Sequence, residues 1–251
     1  EEWLGNYDLI ITSNEKMDSL LRHGARWVRE ISLVIVDEVH MLNDVGRGPT
    51  LEIVVTRLQS MNPQIIALSA TIRNAEEIAD WLSAEIVKSD YRPVKLKRGV
   101  YYPNELYFAD SNHEFPEGDS EILLCKDTIA RGKQALFFVS TRKSAEALSE
   151  KLAKAVVKNI SDDEKKKLSK MSDDILHSLS SPTKQCRRLA LTVKSGVAFH
   201  HAGLIAKQRK AIEDAFKAGT IKILTATPTL AYGLNLPAWR VFVRDAKRYS
   251  G

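Results

Sequence analysis

The amino-acid sequence predicts an α/β fold with mainly parallel sheets. Short apolar segments of strand length alternate with longer segments of helical periodicity, which is the pattern of strand–helix units in a parallel sheet. The alternation stops over residues 89–98, where a central proline interrupts a stretch of little periodicity, and it then restarts. We therefore predict a first domain over residues 1–88, a hinge over 89–98 and a second domain over 99–251.

The first domain is predicted to contain three strands and three helices in alternation. Its strands are expected at residues 7–12, 33–36 and 64–68, and its helices at 15–21, 49–59 and 75–82. Asn74 is a candidate cap for the last of these helices. The strand at 33–36 is short, β-branched and uncharged, as expected of a strand that is buried on both faces of a parallel sheet.

The second domain repeats the pattern. Its strands are expected at 135–139, 196–199 and 221–225, and its helices at 144–157 and 207–218. A segment rich in Ser, Asp and Lys, near 158–190, indicates an exposed helical insertion. The run Lys165, Lys166 and Lys167 inside it is interpreted as a solvated helix face and not as a DNA contact.

Composition narrows the class of protein. The net charge of +5, from 37 basic and 32 acidic residues in 251, permits nucleic-acid binding without requiring it. Cys125 and Cys186 lack metal-ligand spacing, which argues against a zinc site or a disulfide framework and favours a reducing cytoplasm. Because no apolar stretch approaches the roughly 20 residues that cross a bilayer, and Glu1 does not begin a secretory signal, we expect no membrane partner.

The strand at 33–36 ends on Asp37, Glu38, Val39 and His40. Ligands bind at the carboxyl ends of such strands. Asp37 is therefore expected to hold magnesium through water, and Glu38 to orient or deprotonate an attacking water. His40 could sense the nucleotide from beyond the strand end. The alternative is that these are solvated acids on a turn.

Small residues follow the next strand, and a histidine pair follows a strand of the second domain. Ser69, Ala70 and Thr71 are suited to linking one strand-end loop to the next, although such a run is often only a turn. His200 and His201 are adjacent, so on a strand they point to opposite faces and could not easily share a metal ion. We interpret them as coupling residues. Arg209 and Glu213 are four residues apart and could pair on the following helix.

Four ordered motifs carry a family resemblance. They are Asp37 to His40, Ser69 to Thr71, His200 to Leu204, and Ala226 to Ala231 continuing to Gly233, Asn235, Leu236 and Pro237. Together they resemble the superfamily 2 DExH-box helicases of the Ski-like group, most of all the archaeal helicases of Holliday-junction migration. The resemblance implies two RecA-like domains, ATP and magnesium as cofactors, and 3′ to 5′ stepping along a nucleic-acid strand.

The resemblance also assigns further residues. It implies DNA-strand contacts at Ser13, Lys16, Thr141, Arg142 and Thr227, and nucleotide contacts at Gly233 and Asn235. Hydroxyls and helix N-termini can bind phosphate, whereas glycine allows close backbone approach. An ordinary helix cap is the alternative for Ser13, and an ordinary polar loop is the alternative for Thr141 and Arg142.

Two departures from the family pattern matter. The 251 residues contain no G-x-x-x-x-G-K-[ST] loop, since Gly132-Lys133 is preceded by Asp127 at the first glycine position and followed by Gln134. They also contain no Q-x-x-G-R-x-G-R segment. We therefore expect an internal piece of a longer helicase, with its first domain truncated at the N-terminal side and its second before the arginine finger, that alone hydrolyses ATP poorly.

The functional expectation is an ATP-dependent 3′ to 5′ DNA helicase that acts in replication-fork repair and recombination. Its expected partner is single-stranded or branched DNA, and it is expected to be a monomer. One alternative is an RNA helicase of the same group. The other is a non-catalytic nucleic-acid-binding module that keeps the fold without turnover.

Overall fold

The computed structural model describes residues 1–70, 72, 74–89, 91, 94–157, 162–231 and 236–245. The chain divides into two compact units, Glu1–Lys95 and Leu96–Gly251. Parallel strands in both units confirm the predicted α/β class. Among the described residues, no helix combines the length and the apolar character that a bilayer crossing needs.

The first unit is built on a two-stranded parallel sheet. Strand β1 (Leu33–Val36) pairs with β2 (Gln64–Ala67), so that Leu33 lies opposite Gln64 and Val36 opposite Ala67. The helices of this unit are α1 (Asn14–Arg22), α2 (Gly48–Gln59) and α3 (Ala75–Leu82). These elements lie within one to two residues of the predicted ones, because apolar periodicity fixes their position.

Helices α2 and α3 cover one face of this sheet. Val36 and Val39 pack with Leu51 and Val55 of α2 and with Ile78 and Leu82 of α3. A second cluster joins α1 to the other side of α2 through Leu20, Trp27 and Leu58. The core of the first unit therefore lies on the helical side of β1 and β2.

Three predictions for the first unit are wrong. Residues 7–12 form no strand, because no other described strand lies alongside to accept their backbone hydrogen bonds. Strand β1 is not buried on both faces, since Leu33 and Ile35 are exposed on the face away from the helices. Asn74 precedes α3, but its side chain makes no capping hydrogen bond.

The second unit contains a four-stranded parallel sheet of order β7-β8-β6-β9. Its strands are β6 (Ala135–Phe138), β7 (Val197–His200), β8 (Ile223–Ala226) and β9 (Arg240–Val243). The helices of the unit are α4 (Ser120–Ala130), α5 (Arg142–Val156), α6 (Asp162–Leu176), α7 (Lys184–Val193) and α8 (Ala206–Lys217). All four residues of β8, an inner strand of this order, are buried. All four residues of β7, at the end of the order, are buried as well, and helices α5, α7 and α8 all contact β7.

A small antiparallel sheet precedes the parallel one. Its strands are β3 (Gly99–Tyr101), β4 (Glu105–Phe108) and β5 (Asn112–Glu114), paired in that order. No strand was predicted in this stretch. Short strands of three or four residues are too brief for alternation to be recognised against a loop.

The predicted insertion is helical but not simply exposed. Leu168 and Ile175 of α6 are buried in the main core of the second unit, as is Leu189 of α7. The remaining face of α6 is solvated, with Lys165 paired to Asp162 at 2.7 Å. Helix α6 is therefore amphipathic, and its polar composition describes only its outer face.

Candidate functional site

In the first unit, backbone hydrogen bonds join the loops that follow β1 and β2. The Leu68 amide donates to the Val36 carbonyl at 2.8 Å, and the Val39 amide donates to the Leu68 carbonyl at 2.9 Å. These bonds continue the parallel ladder past the strand ends. They hold Asp37 and Glu38 beside Ser69 and Ala70.

Three polar side chains meet at this edge. His40 Nδ1 lies 3.2 Å from Glu38 Oε2 and 3.5 Å from Ser69 Oγ. The second distance is at the outer limit of a hydrogen bond. His40 is thus positioned between the acidic motif and the serine of the second motif. Thr71, predicted as the third residue of that motif, lies outside the described residues.

Glu38 has a left-handed backbone, with φ 54° and ψ 42°. This conformation is costly for a residue with a Cβ, by about 1–2 kcal/mol. Such outliers cluster at functional sites, where the surrounding structure holds them in place. The Glu38 side chain stays more than half exposed.

Asp37 fits the expected water-held magnesium. One carboxylate oxygen, Oδ1, accepts the Glu38 amide at 2.9 Å, and the side chain is exposed. In the part of the chain that the structure describes, no three His, Cys, Asp or Glu side chains come together as a metal site. Magnesium keeps much of its water shell and takes one or two carboxylates together with substrate phosphates, so a single exposed aspartate suits it.

Ser13 and Lys16 lie at the start of α1. Ser13 is the N-cap, and its hydroxyl accepts the Lys16 amide at 3.3 Å. The Lys16 ammonium pairs with Glu1 at 2.5 Å. The alternative reading of Ser13 as a helix cap therefore describes its contacts in this structure, and a strand-binding role for both residues stays a prediction.

In the second unit, the loop after β6 is held by an acid that lies two residues beyond the end of β9. Asp245 Oδ2 accepts both the Ser140 amide at 2.8 Å and the Ser140 hydroxyl at 2.9 Å. The Arg244 guanidinium beside it, and then the Ser140 amide, hold the pKa of Asp245 below its usual value. Thr141 caps α5 by accepting the Ser144 amide at 3.1 Å. Arg142 follows as the first helical residue.

The two histidines make separate contacts. His200 Nε2 lies 2.8 Å from Glu213 Oε1 of α8, and His201 Nε2 lies 3.2 Å from Glu146 Oε1 of α5. Burial lowers the pKa of both imidazoles. The predicted ion pair between Arg209 and Glu213 is not among the ion pairs of the described residues. Glu213 instead pairs with the buried imidazole of His200.

Thr227 lies at the end of β8, next to the histidines. Its side chain is buried, and its amide donates to the His200 carbonyl at 3.3 Å. Thr227 therefore lies at the carboxyl ends of the strands, the same edge as Ser140 and His200. Gly233 and Asn235, predicted to contact the nucleotide, lie outside the described residues.

The Gly132-Lys133 pair has a structural role. Helix α4 ends just before it, and Gly132 has φ +68°, which closes a helix. Asp127 pairs with Arg240 at 2.5 Å. Residues 127–134 are thus a helix end, which agrees with the absence of a phosphate-binding loop from the sequence.

Sequence reasoning missed three carboxylates that organise these loops: Glu146, Glu213 and Asp245. Asp245 could have been found, because it follows a strand as Asp37 does. Glu146 and Glu213 lie within helices, and an acid on a helix is usually solvated. Only their contacts with His201 and His200, which lie at the end of β7, distinguish them.

Comparison with known proteins shows which helicases the chain is similar to. Residues 1–78 match the DEAD/DEAH box helicase family, and residues 177–246 match the helicase conserved C-terminal domain. A protein of Methanocella arvoryzae named ATP-dependent DNA helicase Hel308 is 44% identical over 253 residues, covering 99% of this chain and 34% of the relative. Proteins of the same name from Pyrococcus horikoshii and Pyrococcus abyssi are 44% and 45% identical over 250 residues, each covering 100% of the chain and 34% of the relative.

The chain spans about a third of the length of these relatives. The two matched regions fall in the two units, and they contain the acidic motif and the segment from the histidine pair to Thr227. The chain therefore contains a region that matches the DEAD/DEAH box helicases and a region that matches the helicase C-terminal domain, and it is similar along its whole length to the archaeal Hel308 proteins, which are Ski-like helicases of superfamily 2.

Proposed function

We propose that this chain supplies part of the ATPase and strand-binding machinery of a DNA helicase that moves 3′ to 5′ and serves fork repair and recombination. The observation that carries the proposal is the arrangement of Glu38, His40 and Ser69 at the ends of β1 and β2. The relatives named ATP-dependent DNA helicase support DNA as the substrate.

Each residue of this edge has a chemical task in the proposal. Asp37 would hold magnesium through water, and the ion would offset the charge of the ATP phosphates. Glu38 accepts a proton from the attacking water, and it is exposed enough to reach one. His40, hydrogen-bonded on one ring nitrogen, links that carboxylate to the Ser69 loop. The roles proposed for Thr71 in coupling and for Gly233 and Asn235 in nucleotide binding rest on the sequence alone.

The strand-binding surface is proposed to lie at the carboxyl edge of the large sheet. Thr141 caps α5 there, Arg142 begins the helix, and Thr227 directly follows β8. The N-terminus of α5 carries unpaired amides and a partial positive charge, which favour phosphate. Ser13 and Lys16 offer a similar helix start in the first unit. Such backbone contacts are indifferent to base sequence.

The ATPase proposal is tested by Glu38→Gln in the full-length protein. The amide keeps the shape of the side chain but cannot accept the proton, so turnover with single-stranded DNA should fall by about a hundredfold or more while ATP binding persists. Glu77→Gln, an exposed acid on α3, is the matched control and should keep full activity. Near-normal turnover by Glu38→Gln would remove Glu38 from the catalytic role.

The strand-binding proposal is tested by salt dependence. Removing one cationic contact should reduce the slope of log affinity against log salt by about 0.7 on single strands, so Arg142→Ala should show that change. Lys165→Ala, on the solvated face of α6, should leave the slope unchanged. Fluorescence anisotropy with two unrelated oligonucleotides measures both. Equal slopes for Arg142→Ala and the unmodified chain, or a strong preference for one oligonucleotide, would contradict the assignment.

A further inference from the structure

A buried carboxylate on α5 connects three elements of the second unit. Glu146 is only 8% exposed. Its Oε1 lies 3.2 Å from His201 Nε2 and 2.8 Å from the side-chain nitrogen of Gln185, and Oε2 pairs with Arg188. A buried charge needs such partners, because leaving it unpaired is costly. Glu146 also lies four residues after Arg142, on the same helix face.

The contacts of His201 fix its protonation. The Gly203 amide donates to His201 Nδ1 at 3.1 Å, so Nδ1 is the unprotonated nitrogen. Nε2 then carries the proton and donates it to Glu146. The ring is fully buried and stacks on Phe199, with centroids 5.4 Å apart and planes 10° from parallel. His201 is therefore a neutral, immobile link between α5 and the loop after β7.

That loop passes close to Arg142. A Cβ added to Gly203 would lie 3.0 Å from His201 Nδ1 and 3.5 Å from Arg142 Nη1. The backbone at Gly203 thus lies against the imidazole and near the guanidinium together. Any loosening of the imidazole would change the spacing between this backbone and Arg142.

We propose that Glu146 is a positioning residue of the strand-binding surface. Through the proton on His201 Nε2 it holds the Gly203 loop in place beside Arg142, so that guanidinium and loop backbone present one preformed surface to a phosphate. The inference rests on the proposed strand-binding function. Preformed geometry matters here because ordering a loop during binding subtracts from affinity.

The competing explanation is that Glu146 only ties α5 to α7. Glu150, one turn further along α5, allows the two to be separated. It pairs with the same Arg188 at 2.5 Å, whereas among the described residues the carboxylate that contacts His201 is that of Glu146. Glu150→Ala therefore removes an α5–α7 tie and leaves the link to the loop intact.

The first measurement reads His201 directly in the 251-residue chain. Ring ¹⁵N shifts in the unmodified chain should show a protonated Nε2 and an unprotonated Nδ1. Glu146→Ala removes the acceptor and should disturb that pattern, whereas Glu146→Gln keeps an acceptor oxygen and should retain it. Glu150→Ala should also retain it. An undisturbed ring in Glu146→Ala would overturn the proposal.

The second measurement is DNA affinity by anisotropy. Glu146→Ala should bind single strands roughly tenfold more weakly, the size of one lost hydrogen bond to a charged group, whereas Glu146→Gln and Glu150→Ala should stay within about twofold. Because both residues act at one contact, Arg142→Ala combined with Glu146→Ala should bind no more weakly than Arg142→Ala alone.

The outcomes separate the two proposals. Strictly additive losses, or an equal loss in Glu150→Ala, would overturn the positioning role while leaving the strand-binding function in place. If the unmodified chain shows no salt-dependent DNA binding, the proposed function fails first, and the positioning role fails with it.

Discussion

The left-handed backbone of Glu38 gives a stability prediction that is independent of any assay of activity. Both Glu38→Ala and Glu38→Gly remove the carboxylate, so their comparison isolates the backbone. At φ 54° a Cβ costs about 1–2 kcal/mol. Glycine relieves this cost but loses more conformational freedom on folding, by about 0.5–1 kcal/mol. The glycine variant should therefore be more stable than the alanine variant by roughly 1 kcal/mol.

Urea unfolding monitored by tryptophan fluorescence measures this difference. Trp3, Trp27 and Trp81 lie in the first unit and only Trp239 in the second, so the signal mainly reports the unit that contains Glu38. A difference of about 1 kcal/mol corresponds to a thermal shift of about 4–8 °C for a domain of this size. The midpoint should move without a change in slope.

Asp37 is the matched control because it is adjacent and also acidic, yet it does not have a positive φ. There the order should reverse, with Asp37→Gly less stable than Asp37→Ala. If glycine fails to exceed alanine at position 38, the left-handed turn does not persist in solution. The strain would then play no part in presenting the carboxylate.

Two further predictions concern the second unit. Burial lowers the pKa of His200 and His201, so the folded state keeps both imidazoles neutral while the unfolded state gains protons below about pH 6.5. The free energy of unfolding should therefore fall as the pH drops from about 6.5 to 5, and His201→Gln should reduce this dependence on pH in urea titrations. An equal dependence in the variant and the unmodified chain would contradict the prediction. Gln134 donates to the Phe216 and Ile221 carbonyls at 2.6 and 2.7 Å. Gln134→Ala should therefore lower the free energy of unfolding, measured by circular dichroism, by about 2 kcal/mol, because it removes two hydrogen bonds of about 1 kcal/mol each. An effect below about 0.5 kcal/mol would indicate that water replaces the amide.

The residues that follow the strands of the first unit are the part of the site that the sequence predicts best. An apolar run followed by Asp37 and Glu38 could be placed at the edge of a parallel sheet, and the small residues after the next strand could be placed beside them. The reason is geometric, because the carboxyl ends of neighbouring parallel strands meet at one edge. The contact between His40 and Ser69 follows the same logic.

Contacts between distant segments could not be predicted in this way. His201 and Glu146 are 55 positions apart, and nothing in the local pattern distinguishes Glu146 from a solvated acid of an amphipathic helix. The prediction of a strand at residues 7–12 was wrong for a related reason. Their short apolar run is typical of a strand, but a strand requires a partner to accept its hydrogen bonds, and the run alone does not identify one.

The uncovered face of β1 and β2 determines how this chain can be handled. Leu33, Ile35, Ile66 and Leu68 are each 40–57% exposed, side by side on that face. Neither outer edge of the pair has a further strand among the described residues. Exposed apolar faces and open strand edges attract other copies of a chain. Concentrated solutions should therefore scatter light and sediment as assemblies, and quantitative work with the 251 residues calls for dilute protein and moderate salt.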